Sequence, residues 1–466
     1  MKSILFIIIF VLFASVAFAA DETLSFGPFG KINIISESPH PSQVVLFVSG
    51  DGGWNLGVVD MAHELAQVDA LVAGIDITHY LKKLENESGK CLYPASDFEA
   101  LSQFIQKKLG FTRYIQPILV GYSSGATLVY AVIAQSPPNT FKGAISLGFC
   151  PDLPVHKPLC KGAGLECSPM PKKKGYNLLP SKQLETPWIA FQGTIDQVCN
   201  PGETENFVKA VKGAEIVILP KVGHGYSVPK NWLPQFKKAF VKLSDIKPID
   251  EHVSADELKD LPLVEVRGKS DNGPVLAVML SGDGGWASID RDVSGVLASK
   301  GIPVVGLNSL KYFWKHRTPE DCAADLSRII SHYMKLWNKD EIVLIGYSFG
   351  ADVLPFMASR LPVDQYSHVR LVALLAAGKK ADFEFHVMDW VGSGNNRNSQ
   401  PILPELAKLQ GKKLLCFVGE EETGSICKNL DEKLGKSIIL PGAHHFNGQY
   451  ENIALTIMKE LQDRGK

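Results

Sequence analysis

Residues 118–134 read Ile-Leu-Val-Gly-Tyr-Ser-Ser-Gly-Ala-Thr-Leu-Val-Tyr-Ala-Val-Ile-Ala. A short apolar run stops at a glycine, a serine follows two residues later, and a helix-like run begins after a second glycine. The order strand, sharp turn, helix makes this G-x-S-x-G informative. A serine on such a turn is held in a strained backbone conformation with its hydroxyl exposed. The flanking glycines are needed because a side chain there strikes the neighbouring strand or helix. The next backbone N–H, that of Ser124, opens the helix and can donate to an oxyanion. Taken alone, the five residues also suit a Gly-rich turn with a passive serine.

The stretch occurs twice. Gly121-Tyr122-Ser123-Ser124-Gly125 returns as Gly346-Tyr347-Ser348-Phe349-Gly350. Ser49-Gly50-Asp51-Gly52-Gly53-Trp54 returns as Ser281-Gly282-Asp283-Gly284-Gly285-Trp286. Leu219-Pro220 followed by His224 returns as Leu440-Pro441 followed by His445. Order is kept while the offset drifts, as expected of one domain duplicated and then shortened by small deletions. Each copy alternates apolar strand-like runs (44–48, 70–77, 118–120, 142–149, 188–192 and 215–219 in the first; 275–280, 302–307, 341–345, 371–376, 413–418 and 437–440 in the second) with helical segments. Continuous apolar strands separated by helices predict a mostly parallel sheet covered on both faces. The fold expected is α/β, a tandem duplication of an α/β-hydrolase-like domain. Copy one spans 20–243, a polar linker 244–262, and copy two 263–466.

In such a fold an acid and a histidine follow the serine, on loops at the C-terminal ends of later strands. Copy one offers Asp196 after the strand at 188–192 and His224 after the strand at 215–219. His224 would take the Ser123 proton while Asp196 sets its tautomer and stabilises the imidazolium. In copy two, counting from Pro441 as from Pro220 selects His445, with His444 as its neighbour. Aligning Gly419 with Gly193 sets Glu422 opposite Asp196, flanked by Glu420 and Glu421, and the three also read as a solvated acidic loop. The glycine-rich turns Gly50-Asp51-Gly52 and Gly282-Asp283-Gly284 can turn several N–H groups toward one anion. With Ser124 and Phe349 they complete the expected oxyanion and substrate-binding set. His63-Glu64-Leu65-Ala66-Gln67 lacks the second histidine of a zinc helix, and no paired cysteine spacing suits a metal, so neither metal nor cofactor is expected.

The remaining composition sets the context. The 466 residues carry 48 basic and 49 acidic side chains, with mean hydropathy +0.04, which argues against a disordered chain and against a duplex nucleic-acid binder. Residues 1–19 combine Lys2, an apolar run over 4–13 and Ala17-Phe18-Ala19, the pattern of a cleaved signal peptide, and predict a periplasmic protein. Export permits disulfides. Cys150, Cys160 and Cys167 suggest one stapled loop, and Cys416 with Cys427 a second, although spacing does not settle pairing. Segments 151–180 and 378–404 occupy the position of a lid. Phe383, Phe385 and Trp390 could meet a lipid interface or pack within the loop.

The exported two-copy layout, S-G-D-G-G-W, G-Y-S-x-G and the terminal L-P-G-x-H-H-F resemble the bacterial virulence protein family AcvB/VirJ, with VirJ similar to copy two alone. The resemblance implies a periplasmic α/β-hydrolase that cleaves the aminoacyl ester of lysyl-phosphatidylglycerol at a membrane surface, with Ser348 as nucleophile and His445 as its base. It also implies a contribution to membrane lipid homeostasis and virulence, and an association with a secretion system. The family tends to carry aspartates shortly before the cysteine matching Cys427, where Gly424 and Ser425 stand here, which leaves Glu422 or its neighbours. Asp283 and the glutamates at 420–422 could supply countercharge to a lysyl group. The competing expectations are a general carboxylesterase or thioesterase and a non-catalytic, secretion-associated binding protein.

Overall fold

The computed structural model describes residues 22–171, 174–247, 256–386, 399–409 and 411–463. The expected leader at 1–19, the middle of the linker (248–255) and Trp390 lie outside the described residues. In the first half the strands are β1 (Glu22–Phe26), β2 (Gly30–Ile35), β3 (Gln43–Val48), β4 (Ala70–Ile75), β5 (Ile118–Tyr122), β6 (Gly143–Leu147), β7 (Asp152–Leu153), β8 (Cys167–Pro169), β9 (Tyr176–Leu178), β10 (Trp188–Gly193) and β11 (Glu215–Leu219). Eight of them form one sheet in the order β1-β2-β4-β3-β5-β6-β10-β11. It is parallel from β4 onward, with β1 and β2 antiparallel at one edge.

The second half repeats the arrangement with β12 (Leu263–Val266), β13 (Val275–Leu280), β14 (Val304–Leu307), β15 (Glu341–Tyr347), β16 (Val369–Leu375), the short β17 (Lys380–Ala381) and β18 (Gln400–Pro401), β19 (Lys413–Gly419) and β20 (Lys436–Leu440). The sheet order is β12-β14-β13-β15-β16-β19-β20, parallel except for β12. The strand order around the nucleophile is therefore the same in both copies, and copy one adds an edge strand. Each sheet separates two apolar clusters, one per face, because its central strands are buried on both sides.

The segments expected as lids differ from each other. In copy one, β7, β9 and β8 form a small antiparallel sheet. In copy two, β17 and β18 pair, and Phe383 and Phe385 are buried rather than presented to a lipid. Phe383 packs on Phe313 and Phe356, and Phe385 stacks on Trp314. Among the described residues, no helix is long and apolar enough to cross a membrane.

The cysteines pair outward rather than within one loop: Cys91–Cys160, Cys150–Cys199 and Cys416–Cys427, with Cys167 and Cys322 free. The stapled loop expected from Cys150, Cys160 and Cys167 is thus replaced by two tethers. Each reaches a different part of copy one, because chain neighbours on an extended loop diverge before their side chains meet. The expected Cys416–Cys427 closure is present.

Candidate active site

Ser123 sits at φ 55°, ψ −123° and Ser348 at φ 50°, ψ −119°, both outside the regions L-residues favour. Close packing enforces the turn. A Cβ at Gly125 would lie 2.3 Å from the Ser49 carbonyl oxygen, and one at Gly350 2.4 Å from that of Leu280, so only glycine lets the helix approach β3 or β13. The helices Ser124–Gln135 and Phe349–Ala358 start at the next residue, as the sequence pattern predicts. Pro355 lies inside the second of these helices.

The S-G-D-G-G-W loops stand against the nucleophiles. A Cβ at Gly50 would be 3.0 Å from the Ser123 Cβ, and one at Gly282 3.5 Å from the Ser348 Cβ. The motif serines hold the loops: Ser49 Oγ accepts from the Ile77 N–H, and Ser281 Oγ from that of Ser309. The motif tryptophans lie over the adjacent strand, where only glycine leaves room. A Cβ at Gly74 or Gly306 would fall 2.1 Å from the ring of Trp54 or Trp286. Asp51 accepts a hydrogen bond from the Ser124 hydroxyl at 2.7 Å.

In copy one, His224 Nε2 lies 2.9 Å from Ser123 Oγ, and its Nδ1 lies 2.9 Å from Asp196 Oδ2. Asp196 is buried, and its other oxygen accepts from the N–H groups of Val198 and Cys199. The Cys150–Cys199 disulfide ties this acid loop to the segment after β6. Asp196, Cys199 and His224 also group as potential metal donors. The thiol is spent in the disulfide and the other two face each other, so the donor set does not fit a metal. Tyr122, just before the nucleophile, donates to the His224 carbonyl at 3.0 Å.

In copy two the histidine placed against the serine is His444, not His445. His444 Nε2 lies 2.8 Å from Ser348 Oγ and its Nδ1 2.7 Å from Glu422 Oε1. The expectation of His445 fails because the loop after β20 is one residue shorter than its counterpart after β11. The Ile195 N–H donates to Val222, two residues before His224, and the Glu421 N–H donates to Gly442, two residues before His444. His445 instead sits with Nδ1 2.9 Å from the Tyr347 hydroxyl, and burial holds its pKa below the usual imidazole range, helped by the neighbouring His444. Glu422 occupies the position read for it; Glu420 and Glu421 do not contact the relay histidine. The Glu422 Oε2 atom is enclosed and has no hydrogen-bond partner among the described residues, unlike its counterpart in Asp196.

Copy one also supplies part of the copy-two surroundings, which sequence reading missed. Its helix Pro94–Lys108 lies along the Gly282–Gly285 loop, with Glu99 Oε1 3.1 Å from where a Gly284 Cβ would stand. Tyr114, Leu310, Trp314 and Phe385 form a cross-copy apolar cluster, and Lys107 pairs with Glu384 at 3.1 Å. The Glu99 carboxyl is pushed up to about 8, first by loss of solvation and then by Asp283. The sign follows from linkage. The folded chain holds a proton that the unfolded chain releases near 4.5, so this contribution to stability falls away as pH rises from about 4.5 to about 8. Glu99→Gln is therefore expected to melt with the wild type at pH 4 and a few degrees above it at pH 9. Melting curves at the two pH values test this; a variant less stable than wild type at pH 9 contradicts it.

Each half of the molecule is an α/β-hydrolase-fold unit that brings a serine, an imidazole and a carboxylate into one relay. The chain belongs to the family described as bacterial virulence protein (VirJ), whose model matches residues 42–147 and 274–465. No curated protein matches the sequence. Similar solved structures each cover about half of the chain. Est1E from Butyrivibrio proteoclasticus is 11% identical, with 49% of this chain and 100% of that one covered and a TM-score of 0.33. The putative dienelactone hydrolase from Klebsiella pneumoniae subsp. pneumoniae MGH 78578 is 14% identical, covering 48% and 98%, with a TM-score of 0.36. XC6422 from Xanthomonas campestris, an α/β serine hydrolase without a lid, is 17% identical, covering 48% and 92%, with a TM-score of 0.31.

Proposed function

We propose that the chain is an exported serine ester hydrolase whose second copy cleaves the aminoacyl ester of lysyl-phosphatidylglycerol, in the periplasm and at a membrane surface. The observation that carries the reading is the Ser348–His444–Glu422 relay beside the Gly282–Gly284 loop. His444 takes the hydroxyl proton as Ser348 Oγ attacks the ester carbonyl. The N–H of Phe349 and the glycine loop receive the developing oxyanion. His444 then returns the proton to the departing glycerol oxygen, leaving a lysyl-serine ester that water hydrolyses by the same exchange. Glu422 holds the His444 ring and stabilises its charged form throughout.

The head group is supported by charge. Copy two carries Glu420 and Glu421 where copy one has Thr194 and Ile195, and Asp352 one turn beyond the nucleophile where copy one has Thr127. Asp352 accepts from the Gly378 N–H, and burial together with Asp283 and Glu422 raises its pKa well above the carboxylate range. Held neutral in this way, Asp352 offers a hydrogen-bonding group rather than charge, and it is the acidic excess of Glu420 and Glu421 that suits an ester bearing ammonium groups.

Purified chain should release lysine from vesicles containing lysyl-phosphatidylglycerol, and Ser348→Ala should lower the rate by about 10³-fold or more. Turnover of neutral short-chain esters with no release of lysine would favour the carboxylesterase reading instead. Failure of both serines to react with a fluorophosphonate would favour a non-catalytic binding protein.

A further inference from the structure

The two mouths differ in a way the duplicated motifs do not reveal. Around the copy-one relay, Leu56 is 83% exposed, Val198 67%, Ile195 59% and Val228 43%. Each lies on a loop at the C-terminal end of the sheet. Leu56 follows the Gly50–Gly53 turn, Ile195 and Val198 bracket Asp196, and Val228 follows His224. The residues on either side of Leu56, Asn55 and Gly57, line a pocket with Gly50, Tyr122 and Gly225, and Gly50 itself stands against Ser123. By register the copy-two rim instead has Ser288, Glu421 and Gly424 opposite Leu56, Ile195 and Val198.

Leu56 carries two costs at once. Its backbone lies at φ 42°, ψ −121°, a region that β- and γ-branched residues avoid, and its side chain is nearly all in water. The following helix of copy two starts without such strain: its N-cap Ala287 is extended at φ −117°, and Ser288, in register with Leu56, is its first helical residue. Exposed aliphatic side chains scattered singly need no explanation, but several gathered round one complete serine relay do.

We infer that copy one is a second hydrolytic site, selective for esters with an aliphatic acyl chain, and that Leu56, Ile195, Val198 and Val228 are its chain-binding residues. This rests on the serine-hydrolase reading of the fold but not on the substrate assigned to copy two. The chemistry is acyl transfer. Ser123 Oγ forms the new ester as the substrate alcohol leaves with the proton from His224, and water then releases the fatty acid and restores Ser123.

The test uses the full chain carrying Ser348→Ala, so that only copy one turns over, with p-nitrophenyl acetate and p-nitrophenyl octanoate as probes. Each buried methylene is worth about fourfold, so kcat/KM for octanoate should exceed that for acetate by about tenfold or more. The double change Leu56→Ser with Val198→Gly, which installs the copy-two residues, should bring that ratio down about tenfold. A ratio measured within one preparation does not depend on the fraction of folded protein. A ratio near one in the Ser348→Ala chain, or a ratio indifferent to the rim substitutions, overturns the inference. If Ser123 neither turns over an ester nor reacts with a fluorophosphonate, it is the hydrolase reading of copy one that fails, and the chain selectivity falls with it.

Discussion

Replacing His444 by alanine should lower copy-two turnover by about 10⁶-fold, the scale on which a serine relay loses its base. His445→Ala should cost less than about tenfold. The two histidines are adjacent in sequence but do different work. His444 bridges Ser348 and Glu422 at hydrogen-bond distance on both ring nitrogens, so its removal leaves no group able to accept the hydroxyl proton. His445 faces the Tyr347 hydroxyl, away from the nucleophile's oxygen. Its depressed pKa keeps it uncharged at neutral pH, so its loss removes one hydrogen bond and some packing. The measurement is kcat on the copy-two substrate in a Ser123→Ala background. Comparable losses in the two variants would contradict the assignment of His444 as base.

Asp196→Asn should lower copy-one turnover by about 10⁴-fold, with little change in stability. The asparagine keeps a side-chain oxygen for the N–H groups of Val198 and Cys199, so the loop retains its anchors. What changes is the partner offered to His224 Nδ1. An amide NH₂ in place of the Asp196 Oδ2 atom favours a bare Nδ1, which puts the ring proton on Nε2. That nitrogen then points a hydrogen at Ser123 and cannot take one from it. The check is kcat on an octanoyl ester in the Ser348→Ala chain together with a melting curve. Retained turnover would show that His224 is oriented by something other than Asp196.

Much of this was legible in the chain before any fold was drawn. The apolar run, glycine and serine of 118–125 and of 341–350 report local sterics, so both elbows and both helix starts stand where read. Ser123, Asp196 and His224 were legible because copy one keeps open loops of ordinary length after β10 and β11. Glu422 was legible through Gly419, which packs against the histidine loop as Gly193 does: a Cβ at either would strike that loop's backbone. The copy-two base was not. A single-residue deletion after β20 is invisible to a count that starts at Pro441, and the adjacent His445 absorbs the error without trace. The lid aromatics misled for a related reason. Phe383 and Phe385 look like interface residues on a loop, but Phe313, Phe356 and Trp314 reach them from elsewhere in the sequence.

Sequence alone determined that one α/β unit is present twice, where each nucleophile turns, and which strands are buried on both faces. These depend on interactions among residues a few positions apart, and backbone sterics and apolar periodicity write them directly into the order of side chains. Tertiary structure alone decided which histidine meets Ser348, that Cys150 reaches Cys199, and that Glu99 of copy one lies on the copy-two glycine loop. Each of those meetings joins groups tens to hundreds of residues apart, and its outcome turns on loop lengths and packing angles that no local pattern encodes.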